Sequence, residues 1–296
     1  MFGGLKRLLT RAPDLRLEGA LLTDVGCIRE GNEDSVAFAT AGGGEALVVV
    51  ADGMGGHAAG EVASAMAVDV VRQVFFGSRG SIPTRLMQAL ARANRAIFDF
   101  GARDRQRQGM GTTCTVVAFD GAQIFLAHVG DSRAYLLRNG KLQQLSEDHT
   151  LVARMLREGL LTAAEAANHP QGNVITKAVG TKPDIEPDVW RKGVKILEGD
   201  RLVVCSDGLH GVVDEDRIRE IVCGADPRTA AQALIAAARA AGAPDNVSVG
   251  VYVAAPANAP AKAGQLERSC EDTRPLDRWD GPEGDPPTQL LARGSM

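Results

Sequence analysis

The stretch "ALVVVADGMGGH" at residues 46–57 joins a short apolar run to an Asp-Gly pair and a glycine-rich turn. Residues 201–211, "RLVVCSDGLHG", repeat the design. Runs of this length and composition predict buried strands, which places Asp52 and Asp207 where two central strands emerge. The glycine after each aspartate lets the backbone turn sharply and approach a neighbour closely. Two carboxylates presented in this way can share a site. Two further acids stand at similar junctions: Asp131 in "HVGDSR" follows a strand, and Asp245 in "GAPDNVSVGVYV" precedes one. The segment "REGNEDS" adds Arg29, Glu33 and Asp34.

Working outward, residues 112–146 hold short β-rich runs separated by Asp120-Gly121 and Asn139-Gly140. Both dipeptides suit the positive backbone angles of two-residue hairpin turns, so the segment reads as one antiparallel meander. Residues 60–76, 83–104 and 226–242 carry apolar side chains at helical spacing, with Pro83 and Pro227 where a first turn tolerates proline. "SVGVYVAA" at 248–255 alternates as a last strand. Strands and helices are grouped rather than strictly alternating, which predicts α+β layers over a doubly wound parallel sheet.

A chain of 296 residues with 45% hydrophobic content can bury a full core. One domain of residues 17–255 is expected, between a lead-in at 1–16 and a Pro-, Gly- and charge-rich tail at 256–296 that reads as disordered. The formal net charge of -4 provides no basic footprint and argues against a nucleic-acid partner. The 5 cysteines are widely spaced and form no Cys-x-x-Cys pair, so neither a disulfide framework nor a zinc site is indicated. With no signal peptide and no apolar stretch of bilayer length, the expectation is a cytoplasmic protein without a membrane span.

Clustered carboxylates repel, and keeping them ionised requires a compensating cation. Oxygen donors without thiolate or grouped imidazole favour hard ions such as Mg²⁺ or Mn²⁺. A bridged pair of these ions lowers the pKa of bound water and clamps a phosphoryl group, and Arg29 is a candidate guanidinium for the phosphate oxygens. Taken alone, each Asp-Gly reads more readily as a turn than as a ligand, and "DGMGGH" before a helix also reads as an anion-binding N-terminus. Spacing by itself does not bring the aspartates together.

The ordered blocks "TDVGCIREGNEDS", "VVVADGMGGHAAGEVAS", "GMGTTCTVVAF", "AHVGDSRAYLLRNGKLQQLSEDHTLV", "NVITKAVG", "LVVCSDGLHGVV" and "GAPDNVSVGVYV" strongly resemble the metal-dependent type 2C serine/threonine protein phosphatases, in their bacterial branch. The resemblance covers about residues 20–254. It implies an α-β-β-α sandwich of two antiparallel sheets with a dinuclear metal centre at one end between them. By the family pattern, Asp52 bridges two Mn²⁺ or Mg²⁺ ions, with the carbonyl of Gly53 as a further ligand. Asp207 and Asp245 complete one ion's ligation. Glu33 and Asp34 are ligands or holders of metal water, and Asp131 matches the acid of a third, weaker metal site. Arg29 matches the phosphate-binding arginine. Where the eukaryotic branch has a histidine directly after the Asp-Gly pair this chain has Met54, which leaves His57 or a metal-bound water as the proton donor.

The resemblance further implies hydrolysis of phosphoserine and phosphothreonine by direct attack of a metal-bridging hydroxide, with no phosphoenzyme. Its partners would be phosphorylated proteins, a serine/threonine kinase and its substrates, met by a monomer. The alternative is a catalytically silent phosphoprotein-binding module of the same fold; against it, every ligand aspartate is present. Residues 154–172 fit the family's flap beside the site. Of the remaining histidines, His128 reads as a satisfied core group, His149 as ordering a loop, and His169 and His210 as loop residues near the site at most. Cys205 reads as a small buried side chain.

Overall fold

The computed structural model describes residues 15–42, 44–55, 59–167 and 169–258. The lead-in up to residue 14, His57 and the tail from residue 259 lie outside the described residues. The chain opens with β1 (Leu15–Asp24), β2 (Asp34–Thr40) and β3 (Ala46–Met54), followed by α1 (Ala59–Gly77) and α2 (Ile82–Gly101). Then come β4 (Gly111–Thr112), β5 (Cys114–Phe119), β6 (Gln123–Val129), β7 (Arg133–Arg138) and β8 (Lys141–Gln144). The short helices α3 (Leu151–Arg157) and α4 (Ala163–Ala167) occupy the expected flap region, before β9 (Asp188–Val189) and β10 (Val194–Lys195). The chain continues with β11 (Arg201–Cys205), α5 (Asp207–His210), α6 (Glu215–Gly224), α7 (Pro227–Ala240) and β12 (Val247–Pro256).

The strands form two antiparallel sheets. One has the order β1-β12-β11-β7-β8; the other runs β10-β6-β5-β3-β2, with β4 paired to β3 and β9 to β6. The unbroken run at residues 46–51 is explained by its two faces. Leu47, Val49 and Ala51 pack under α1 and α2, while Ala46, Val48 and Val50 face the opposite sheet. Residues 202–205 follow the same parity: Leu202 and Val204 enter the inter-sheet core, and Val203 and Cys205 pack with Leu209, Ile218 and Leu234 from the helices on the other side. Because alternate side chains leave a strand on opposite faces, a strand covered on both must be apolar throughout. Four layers, helix, sheet, sheet and helix, are the result.

Local chemistry sets the helix ends. Ser81 caps α2 by accepting from the Thr84 amide at 3.4 Å, and Pro83 sits in the first turn. Asp226 caps α7 by accepting from the Arg228 and Thr229 amides, with Pro227 following. These prolines forfeit no helical hydrogen bond there. α1 presents Ala63, Ala67, Val71 and Phe75 to its sheet at four-residue spacing.

The expected single meander is divided. β5 and β6 form a hairpin in one sheet, β7 and β8 a hairpin in the other, and Gly130-Asp131-Ser132 carries the chain across. Both turns are present, with different chemistry. Asn139 and Gly140 each have positive φ, at 52° and 74°, as a type I′ hairpin requires. At the other turn only Gly121 is positive, and the Asp120 carboxylate accepts from the Ala122 and Gln123 amides. β1 also begins at Leu15, inside the expected lead-in, where its amide bonds the Gly121 carbonyl at 3.0 Å.

Leu202 is 1% exposed at the centre of the inter-sheet core. Leu202→Ala is expected to destabilise the fold by about 2–5 kcal/mol, read as a shifted urea midpoint with an unchanged slope.

Candidate metal centre

Every acidic residue singled out in the described chain lies at one end of the two sheets. Asp34 and Asp52 stand directly opposite each other on β2 and β3. Asp207 opens α5 just past β11, Asp245 precedes β12, and Asp131 sits on the crossover from β6 to β7. The Ser206 hydroxyl, at the end of β11, donates to Asp34 Oδ2 at 2.8 Å and joins the two sheets at this end.

The Asp-Gly pairs owe their glycines to crowding. Neither Gly53 nor Gly208 is among the glycines of positive φ. A Cβ on Gly53 would lie 2.1 Å from the Gly60 carbonyl oxygen, and one on Gly208 would lie 2.0 Å from the Asn246 carbonyl oxygen. Close backbone approach therefore demands glycine at both positions, and a sharp turn does not. β3 in fact continues past Asp52 to Met54.

Amide and hydroxyl groups fix the backbone beneath the acids. Thr113 Oγ1 accepts from the Asp52 amide at 2.9 Å, and the Thr113 amide and Thr112 hydroxyl both donate to the Asp52 carbonyl at 2.8 Å. The Asn246 side chain accepts from the Glu33 amide and donates to the carbonyls of Val25 and Gly31, each within 2.9 Å. This one residue holds the loop of Arg29, Glu33 and Asp34 against the start of β12. It was not singled out in the sequence, although it directly follows Asp245.

The electrostatics are those of crowded acids. Burial, followed by the charges of Asp34 and Asp207, raises the Asp52 carboxyl well above its usual range. Burial also raises Asp34, against the hydrogen bonds from Ser248 and Ser206. Asp131, 4% exposed, is pushed up to about 7 by burial and then by Asp207. Asp207 is raised by burial and by Asp245, and Glu33 by burial against the opposing charge of Arg29. Among the described residues, the buried oxygens Asp34 Oδ1, Asp131 Oδ1 and Asp207 Oδ1 have no hydrogen-bond partner. Arg29, on the exposed side, binds Asp245 Oδ2 at 2.7 Å.

Among the described residues, no group of three or more His, Cys, Asp or Glu side chains is arranged to hold a metal ion as it stands. The donor chemistry nevertheless fits a hard divalent cation: partnerless carboxylate oxygens in a desolvated, uniformly acidic setting, with no thiolate among them.

Two histidines depart from expectation. His128 is buried and donates from Nδ1 to Thr115 Oγ1 at 2.9 Å, but its Nε2 has no partner, so it is only half satisfied. That assignment follows because the Thr115 hydroxyl already donates to the Ser132 carbonyl. His210 lies in α5 rather than a loop, and its Nε2 donates to the Asp131 carbonyl at 2.9 Å. Burial holds both rings near pKa 4, hence neutral at pH 7. Cys205 is fully buried, with its thiol pushed up to about 12.

Fold and site together define an α-β-β-α sandwich with an acidic centre between its sheets. A family model described as protein phosphatase 2C matches residues 27–255, and the chain belongs to that family. It is similar to the protein phosphatase PhpP of Streptococcus pneumoniae, 39% identical over 239 residues that make up 79% of this chain and 96% of the relative. It also resembles the crystal structure of the Mycobacterium tuberculosis serine/threonine phosphatase PstP/Ppp, with TM-score 0.73 and 38% identity, covering 80% of this chain and 98% of that one. The catalytic domain of PstP in complex with two manganese ions matches with TM-score 0.72 and 37% identity, over 81% of this chain and 99% of that one.

A carboxyl raised in the folded state contributes stability while protonated and loses it as pH rises through the folded pKa. Chelator-treated protein is therefore expected to lose thermal stability as pH rises from about 4, the unfolded carboxyl value, through about 7, to which Asp34 and Asp131 are raised. Saturating Mn²⁺ or Mg²⁺ should abolish that slope, as followed by circular dichroism.

Proposed function

We propose that the chain is a Mn²⁺- or Mg²⁺-dependent phosphatase that hydrolyses phosphoserine and phosphothreonine in proteins. One observation carries this reading: partnerless carboxylate oxygens from both sheets lie buried at the end where Arg29 is exposed. Such an arrangement takes up divalent cations on its inner side and a phosphate dianion on its outer side. Family membership and the manganese-bound relative support the same chemistry.

In this reading, Asp52, the Gly53 carbonyl, Asp207 and Asp245 would hold the divalent cations, and Asp131 would serve a third, weaker position. Glu33 and Asp34 act as ligands or orient the water around them. Bound divalent ions supply a lowered water pKa and positive charge for the phosphoryl oxygens. Arg29 is placed to exchange Asp245 for a phosphate oxygen, orienting the group for in-line displacement. His57, or a water at the metal centre, would donate the proton to the departing alkoxide. The catalytic domain takes in β1 and β12 whole, residues 15–256, and the short helices around 154–172 form a flap that bears on substrate choice or metal retention.

A phosphorylated kinase and its substrates, met by a monomer in the cytoplasm, are the proposed setting. Among the described residues no helix is long and apolar enough to cross a membrane.

The test is turnover of a phosphothreonine peptide with Mn²⁺, Mg²⁺ or chelator. Wild-type turnover should require metal, and Asp52→Asn or Asp245→Asn should lower it by about 100-fold or more with an unchanged circular dichroism spectrum. Near-wild-type activity in either variant, or turnover that survives chelation, would sink the assignment.

A further inference from the structure

Asp131 has one buried carboxylate oxygen without a partner, so its place depends on the peptides around it. Those peptides are gripped by two histidines. The His149 amide donates to the Gly130 carbonyl at 2.7 Å, and the Gly130 amide donates to His149 Nδ1 at 3.1 Å. On the other side His210 Nε2 donates to the Asp131 carbonyl at 2.9 Å. Gly130 has φ of +109°, and a Cβ there would lie 2.5 Å from Thr113. Only glycine fits this step, beside the residue whose Oγ1 accepts from the Asp52 amide.

The tautomer of His149 follows from these contacts. Nδ1 accepts an amide proton and must be bare, so the ring proton is on Nε2, which donates to Asp188 Oδ2 at 3.2 Å. Asp188 is half-exposed and lines a cavity of about 370 Å³ with His149, Lys177 and Arg154. A chain of contacts thus runs from this surface cavity, through one imidazole, to the peptide preceding Asp131.

We propose that His149, oriented by Asp188, is a positioning residue that sets the Asp131 carboxylate for a divalent cation through the Gly130 peptide. The inference rests on the metal-dependent reading of the site. A histidine that merely filled space would affect folding stability alone. One that aims a ligand affects cation affinity, and partners of this kind typically contribute about 10- to 100-fold.

Isosteres separate the two ring nitrogens. His149→Asn keeps an acceptor where Nδ1 stands, whereas His149→Gln keeps a donor near Nε2 and loses the Gly130 bond. Mn²⁺ binding is measured by electron paramagnetic resonance titration of the full chain without substrate, with Asp131→Asn marking the weakest site. In parallel, the Mn²⁺ concentration for half-maximal peptide hydrolysis is determined. His149→Gln and Asp188→Ala should weaken the Asp131 site by about tenfold or more, and His149→Asn should bind as the wild type does.

Equal weakening in both His149 variants, or wild-type binding in folded His149→Gln and Asp188→Ala, would overturn the proposal. Should both His149 variants fail to fold, Asp188→Ala decides alone, since it alters a half-exposed side chain. Absence of wild-type turnover would count against the phosphatase reading, while the binding titrations would still decide the role of His149.

Discussion

Several carboxylates drawn from both sheets are held within one another's electrostatic reach at one poorly solvated end of the sandwich. Burial raises the pKa of Asp34, Asp52, Asp131 and Asp207, and the charge of a neighbouring aspartate raises each one further. Left to itself such a group drives its members to protonate or to separate. The fold resists separation because its acids are carried by strands and strand ends whose side chains are packed on both faces. What remains is an affinity for positive charge, met in part by the Arg29 ion pair with Asp245.

The support beneath the acids is made of groups that carry no charge of their own. Thr113 bonds the Asp52 backbone and the Ser132 hydroxyl, Ser206 bonds Asp34 and Ser248, and Asn246 fastens the loop that bears Arg29. Cationic side chains in these places would have neutralised the acids and removed the attraction for a metal. Hydroxyls and amides fix geometry while leaving the charge uncompensated, and Gly53 and Gly208 let the backbones approach closely enough for those short bonds to form.

Much of this was legible in the chain. The apolar runs at 46–51 and 202–205, the helix periods with Pro83 and Pro227 in first turns, and the Asn139-Gly140 turn were each readable because their causes are local. The division of residues 112–146 between two sheets was not, since a hairpin's pattern is the same whichever sheet receives it. The chain could show His149 only as ordering a loop, and His210 only as a loop residue near the site, for a similar reason. Their significance lies in bonds to Gly130 and Asp131, which are remote in sequence. An imidazole that bonds a distant peptide has no periodicity or spacing by which to announce itself.

By itself, then, the sequence determined the type of each element and the chemistry available to the site: oxygen donors, a guanidinium and no thiolate cluster. Side-chain parity, capping and turn angles act over a few residues and are written in order along the chain. Only the tertiary structure decided that Asp34 faces Asp52 across a strand pair and that Ser206 bridges the sheets. It also decided that the glycine of each Asp-Gly pair answers to crowding rather than to a turn. Those are matters of distance between segments far apart in the chain, and distance is set by how the two sheets pack.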